Sequence, residues 1–321
     1  MTQIARVLHN DTEKLVVPSG SYFIDAQNAF ASWLRFLGDT NASDRAAGEM
    51  PHDSLEYFRG GHESYKKLRQ AVDHAESVPS GRALDEGILF PRDQATLLVP
   101  IPNPPKIVCV ARNFGKHAAE AGLQISEIPI LFPRFANTQI ADEEPIIVPT
   151  VSAEVDWEGE LAVVIGVGGH RISHSDAMAH VAGYTVFNDV SVRDYQFRVT
   201  QYTGGKNFRA SGPVGPHISL VDEGIDPHNA RITTVINGEV KQDATTEEFI
   251  FDIPTIIEHI SEFIPLEPGD IIPMGTPAGV GFKRNPPEFL RPGDLVEVTV
   301  AGIGTLRNPV VDERHYERTQ S

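Results

Sequence analysis

The stretch 155-VDWEGELAVVIG-166 decides how this chain is read. Its second half is apolar and β-branched, the pattern of a buried strand. Its first half places Asp156, Glu158 and Glu160 at every second position. In a strand such residues share one face. Three carboxylates are therefore expected on one side of a strand that runs into the core. Like charges at that spacing repel, and buried charges are costly unless paired. Something positive has to hold them.

A divalent cation would, since hard ions such as Mg²⁺, Mn²⁺ or Ca²⁺ favour carboxylate oxygens. The bland reading is a solvated strand end, the usual place for acidic residues. The apolar run LAVVIG follows at once and argues against it. A second strand offers a further acid. In 183-GYTVFNDVSVRD-194, Asp189 ends an apolar strand and Asp194 follows in a polar turn. Two carboxylates from one strand and one from another leave an open site, with positions for water or substrate.

Other segments add reactive groups. In 111-ARNFGKHAAEAG-122 the strand KIVCV stops, and a short helical segment begins at about Gly115. His117 and Glu120 stand three apart, on one helix face. A carboxylate beside an imidazole fixes its tautomer and raises its basicity. An incidental pair on a surface helix has the same spacing. In 204-GGKNFRASGPVGP-216, Lys206 is either a solvated loop lysine or a cation for a substrate carboxylate or enolate. In 274-MGTPAGVG-281, backbone N–H groups and the Thr276 hydroxyl suit an anion, and a plain glycine turn fits equally. Two motifs fail. GVGGHR has Arg171 in place of the last glycine of a dinucleotide fingerprint, and no flanking βαβ pattern. His170 and His174 sit at a turn without an acidic partner and read as surface residues.

Composition sets the frame. The chain has 321 residues, 40% hydrophobic and 22% charged, which suits a globular protein of about two domains. Its 44 acids outweigh its 27 bases, for a net charge of −17. That balance speaks against non-specific binding to nucleic acid or to an anionic membrane surface. No apolar run approaches the roughly 18 residues of a membrane span, and the N-terminus lacks the apolar stretch of a secretory signal. The single cysteine, Cys109, lies in an apolar run and suits a reducing compartment. The expected location is cytoplasmic.

Residues 1–100 read as a small N-terminal domain, helical in AQNAFASWLRFLGD and HESYKKLRQAVDHAE, with NASDRAAGEMPHDS as a loop. A proline-rich boundary falls near Pro100, and 101–321 form the second domain. There strands dominate, and EPGDII and RPGDLV repeat one turn device before a strand. Two helices are expected, one from near Ser173 to near Gly183 and one in DIPTIIEHISEF with Asp252 as N-cap and Pro254 in its first turn. Strands and helices do not alternate, which favours a mixed α+β or β-roll architecture over a doubly wound sheet.

Taken together, RNFGKHAAE, DWEGELAVVIG, GYTVFNDVSVRDYQ, GKNFRASGPVGP and GTPAGVG resemble the fumarylacetoacetate hydrolase family, in the family's order over about residues 105–310. The first 100 residues place the chain with the longer, two-domain members. The resemblance implies a β-roll carrying Mg²⁺ or Mn²⁺, a site that Ca²⁺ also suits. It implies Glu158, Glu160 and Asp189 as ligands, and His117 with Glu120 as an acid/base pair on a lid. Lys206 becomes the site lysine, with Arg112, Gln196 and Thr276 near the substrate. Asp156 is not a family ligand and stays unassigned. Arg134 stands where the family often has lysine, Val192 where it usually has alanine, and Ala210–Ser211 where many members have a bulkier pair.

The implied activity is metal-dependent hydrolysis of a C–C bond in a 2,4-dioxo acid of the acylpyruvate or fumarylpyruvate type, through an enolate. Alternatives are a decarboxylase, isomerase or hydratase of oxo-acids in aromatic catabolism, and, in another class, a non-catalytic metal-binding protein. The implied partners are a small oxo-acid and a second copy of the chain in a homodimer.

Overall fold

The structure, a computed structural model, describes residues 2–115, 126–221 and 224–320. The N-terminal segment is not only helical. The expected helices form at Ala26–Phe36 and Gly61–Ser77, but the expected loop between them holds a third helix, Ala42–Glu49. Five strands also lie there: β1 (Gln3–His9), β2 (Thr12–Ser19), β3 (Tyr22–Asp25), β4 (Leu89–Pro91) and β5 (Thr96–Leu98). Asn10 and Asp11 join β1 to β2 with φ of +50° and +57°, the two positive values that a tight hairpin turn demands.

The next strands are β6 (Ile107–Ala111), β7 (Ile130–Arg134), β8 (Gln139–Ile140) and β9 (Ile146–Val148). Residues 155–166 do not form one strand. They split into β10 (Val155–Asp156) and β11 (Gly159–Ile165). Then come β12 (Val181–Asn188), β13 (Ser191–Val192), β14 (Gly212–Leu220), β15 (Arg231–Ile236), β16 (Glu239–Thr245), β17 (Ile271–Pro273), β18 (Leu295–Val300) and β19 (Gly304–Asp312). The helix expected from Ser173 is reduced to a 3₁₀ turn at Ala177–His180, because Val181 already opens a β-branched strand. The helix Ile253–Phe263 forms as expected, with the Asp252 carboxylate accepting from the Thr255 N–H. The class is α+β. Among the described residues no helix is long and apolar enough to cross a membrane.

A twelve-stranded sheet runs β4-β3-β2-β1-β14-β12-β11-β17-β6-β7, with β5 on β1 and β8 on β14. A five-stranded sheet runs β16-β15-β18-β19-β9. β11 lies between two cores, and all seven of its residues are buried. Leu161, Val163 and Ile165 share one core with Ile232, Val296, Val298 and Val300 of the smaller sheet. Ala162 and Val164, on the other face, share a second core with Phe30, Tyr57 and Leu68 of the N-terminal segment. A strand apolar on both faces is what LAVVI reads as. The two glutamates stand where that strand begins.

Candidate active site

Register brings the three carboxylates together. β11 pairs β12 antiparallel with Gly159 opposite Asn188, so the residues just outside each strand end, Glu158 and Asp189, meet. The Asp189 N–H donates to the Glu158 carbonyl at 2.9 Å, and the Asn188 side chain accepts from the Glu158 N–H at 2.9 Å. One oxygen each from Glu158, Glu160 and Asp189 lies within 4.8 Å of the others, and all three residues are buried.

Cations surround the group. Lys206 Nζ lies 2.7 Å from Glu158 Oε2 and 2.5 Å from Asp189 Oδ2. Arg193 reaches Glu158 Oε1 at 2.7 Å and Asp156 Oδ2 at 2.8 Å. Arg134 donates to Asp189 Oδ1 at 2.6 Å and to Ser211 Oγ at 2.6 Å. Burial opposes the charge on Lys206, but Asp189 and Glu158 outweigh it and hold the ammonium above its ordinary pKa. Glu160 accepts only the Gly275 N–H, at 2.8 Å, and has no cationic partner among the described residues. Burial first, then Asp189 and Glu158, push its carboxyl well above the usual range. Four buried carboxylates here (Asp156, Glu158, Glu160, Asp189) share three buried cations (Arg134, Arg193, Lys206). A hard divalent ion fits both the deficit and the oxygen donors.

The local sequence is dictated from behind. Gly159 separates the glutamates because the smaller sheet crosses there. A Cβ on it would lie 2.8 Å from Val298 Cγ1 and closer still to Thr234 Oγ1. Gln242 Oε1 accepts the Gly159 N–H at 3.0 Å, and its amide donates to Thr276 Oγ1 at 2.8 Å. The Thr276 hydroxyl in turn donates to the Gly159 carbonyl at 3.0 Å. Thr276 therefore holds the start of β11 in place as well as lining the cavity. The anion that the MGTP turn binds is Glu160 itself, through Gly275.

A cavity of about 360 Å³ opens onto the cluster. Glu158, Glu160, Asp189, Lys206, Arg112, Gln196 and Thr276, all expected from sequence, line it. Gln196 Oε1 accepts from Arg193 at 2.8 Å, and Arg112, at φ +60°, donates to Tyr202 Oη at 2.7 Å. His117 and Glu120 lie outside the described residues. Asp194 turns away to Ser152 at 2.5 Å, and His170 and His174 are exposed. Asp156 does not join the triad. With β10 split from β11, its carboxylate accepts from Arg193, from the Gly281 N–H at 2.7 Å and from the Phe282 N–H at 3.1 Å. The sequence reading missed Arg193 and Gln242, and noted Arg134 only as a departure. A basic residue three before Gln196, directly after the VSV run, was the available sign of Arg193.

The fold and this cluster define a class. Residues 106–311 match the family model for the fumarylacetoacetate hydrolase C-terminal domain. The chain belongs to the fumarylacetoacetate hydrolase family of enzymes. It is 40% identical over 264 residues to the mitochondrial oxaloacetate tautomerase FAHD2A of Bos taurus, covering 82% of this chain and 81% of the relative. The human protein of the same name is 41% identical over 251 residues, covering 77% of this chain and 80% of its own. Among solved structures, the 2-hydroxyhepta-2,4-diene-1,7-dioate isomerase of Mycobacterium marinum matches with a TM-score of 0.70 at 29% identity, covering 98% of this chain and 99% of that one. The fumarylacetoacetate hydrolase of Exiguobacterium antarcticum matches with a TM-score of 0.76 at 28% identity, covering 98% and 100%. The names of the sequence relatives favour the isomerase alternative over C–C hydrolysis as the leading reading.

Proposed function

We propose that this chain is a divalent-metal-dependent tautomerase of a small 2-oxo acid, with oxaloacetate as the leading candidate. The observation that carries the reading is the buried Glu158–Glu160–Asp189 cluster with Lys206 against it, in a chain 40% identical to an oxaloacetate tautomerase. Glu158, Glu160 and Asp189 would hold Mg²⁺ or Mn²⁺. When bound, that ion supplies Lewis acidity toward a 2-oxo acid and favours its enolate.

Tautomerisation moves one proton between C3 and the 2-oxygen and breaks no C–C bond. The demands on the protein are modest. It must orient the acid, keep bulk water out and stabilise negative charge on the 2-oxygen as it develops. Lys206 is protonated and buried, so it acts as a fixed positive charge and not as the base. Arg193 and Gln196 hold the carboxylate wall in place. The proton would move through His117, oriented by Glu120, the pair that the family resemblance supplies.

The test follows the ultraviolet absorbance of enol-oxaloacetate with Mg²⁺ or Mn²⁺, with and without chelator. We expect faster conversion that chelation abolishes. A wild-type rate equal to the uncatalysed one would overturn the reading. Cleavage of an acylpyruvate is the second reading, supported by the likeness to the E. antarcticum hydrolase. It needs the further step of water attack, and product analysis separates the two. A homodimer is part of the proposal, checked by sedimentation against the 35.1 kDa chain. The reducing compartment suggested by Cys109 would be cytoplasmic or, as in the relatives' names, mitochondrial.

A further inference from the structure

Asp156, left over from the opening stretch, leads to a second feature of the cavity. Its carboxylate takes the N–H groups of Gly281 and Phe282 at 2.7 and 3.1 Å, and so ties down the turn Gly281–Lys283. Only glycine fits at the first position. A Cβ there would lie 2.8 Å from Asp156 Oδ1 and closer still to the Glu288 carbonyl. The turn lays the Phe282 ring on the Arg193 guanidinium, 4.3 Å from its centroid. Arg193 is the same residue that binds Glu158 at 2.7 Å. One buried carboxylate thereby locks the metal-side wall to the turn that carries Lys283.

Lys283 lines the cavity and is exposed. Its ammonium lies 5.1 Å from the Phe282 ring centroid and has no anionic partner among the described residues. An ammonium on a cavity wall without a carboxylate against it is free to meet an anionic ligand. The inner cations, Lys206, Arg193 and Arg134, are all committed to carboxylates. They are poorly placed to neutralise a second negative group on a ligand. Phe197, Val199 and Phe282 add apolar surface to the same lining. A free carboxylate there has Lys283 to meet, with Arg112 the other lining cation that has no carboxylate partner among the described residues.

We propose that Lys283 is a specificity-determining residue that pairs with the carboxylate remote from the metal-side end of the substrate, so that the site selects 2-oxo dicarboxylates over 2-oxo monocarboxylates. The inference rests on the tautomerase reading for the kind of substrate, but its test does not depend on turnover. Calorimetric titration of the Mn²⁺-loaded protein with malate and with lactate, unreactive 2-hydroxy analogues of which only malate has the second carboxylate, gives a ratio of affinities. Lys283→Gln should weaken malate about tenfold, as expected for one charge-assisted contact at a rim, and leave lactate unchanged. Lys283→Arg should restore the ratio, and the effect should shrink with added salt. An unchanged ratio in Lys283→Gln overturns the proposal, as does an equal loss for both acids. Loss of discrimination in a protein that does not tautomerise oxaloacetate would sink the proposed activity and leave Lys283 standing. Tautomerisation with an unchanged ratio would do the reverse.

Discussion

At the scale of single residues, the site is a problem in charge placement. Each buried carboxylate but one has a cation against it: Asp156 has Arg193, Glu158 has Arg193 and Lys206, and Asp189 has Lys206 and Arg134. Glu160 has, among the described residues, a single backbone N–H. Such a group costs stability unless an ion binds it. Glu160→Gln keeps the shape and an acceptor for Gly275 while removing the charge. The variant should therefore melt about 1–2 °C higher than wild type in chelator, the shift that roughly 1 kcal/mol gives for a chain of 321 residues. It should also bind Mn²⁺ at least about a hundredfold more weakly, beyond what loss of a mere supporting partner costs. Calorimetric melting and Mn²⁺ titration check the two halves. A lower melting temperature in chelator would mean that Glu160 is satisfied without a cation. The carboxylates of 155–160 were legible in the sequence because alternation in a strand is local, whereas the choice of Glu158 and Glu160 with Asp189 came from the family resemblance. The separate place of Asp156 was not legible, because it shares the alternation and differs only in the break at Trp157–Glu158, which brings it to Arg193 and the turn at Gly281. The basic residues were hard to find for a related reason. Arg134 and Arg193 reach their carboxylates from other elements, and nothing in their own segments marks the partner.

At the scale of elements, the strands after Pro100 were largely visible as apolar runs between Gly, Pro and Asp, whereas the N-terminal strands were not. β1 and β2 carry charged residues among their apolar ones, and their turn, Asn10–Asp11, was the one clear local sign. β14 shows what no local pattern gives. It pairs with β1, β12 and β8, and its His217 packs toward the turn before β19. The ring donates from Nε2 to the Ile303 carbonyl at 2.6 Å. Burial lowers its pKa, Arg92 adds to that, and the bond to Ile303 only partly offsets it. The unfolded chain binds this proton more readily, so stability falls as pH drops through the ordinary histidine value near 6.5 toward the folded one. His217→Gln, which keeps a donor but cannot titrate, should flatten that part of the stability curve. Urea unfolding at steps between about pH 7.5 and 5 checks it. Parallel curves for variant and wild type would assign the acid limb to other groups.

At the scale of the whole molecule, the question is whether the first 100 residues are a separable domain, as their texture in the sequence suggested. Two features of the fold argue against separability. β1 pairs with β14 inside the large sheet, through Gln3 to Ser219 and Ile4 to Ile218. The second core also runs across the proposed boundary: Phe30, Tyr57, Tyr65 and Leu68 pack with Cys109, Ala162, Val164, Phe187 and Ile271. Those five belong to the strands that carry and flank the carboxylates, so the N-terminal segment covers the back of the catalytic sheet. A fragment of residues 101–321 would expose that apolar face and the open edge of β14 at once, and both favour aggregation. We expect the fragment to be insoluble, or to lack a cooperative melting transition and near-ultraviolet circular dichroism, with no Mn²⁺ bound at the triad. Adding residues 1–100 as a separate chain should restore part of the soluble, Mn²⁺-binding material if the covering surface is what the fragment lacks. A fragment that melts cooperatively and binds Mn²⁺ like the full chain would show the opposite: that the two parts fold independently and their shared core is an accessory contact. The distinction matters for the chemistry, because Ala162 and Val164 lie on the same strand as Glu160, two and four residues beyond it. Packing that loosens there would displace the carboxylate that depends most on an ion.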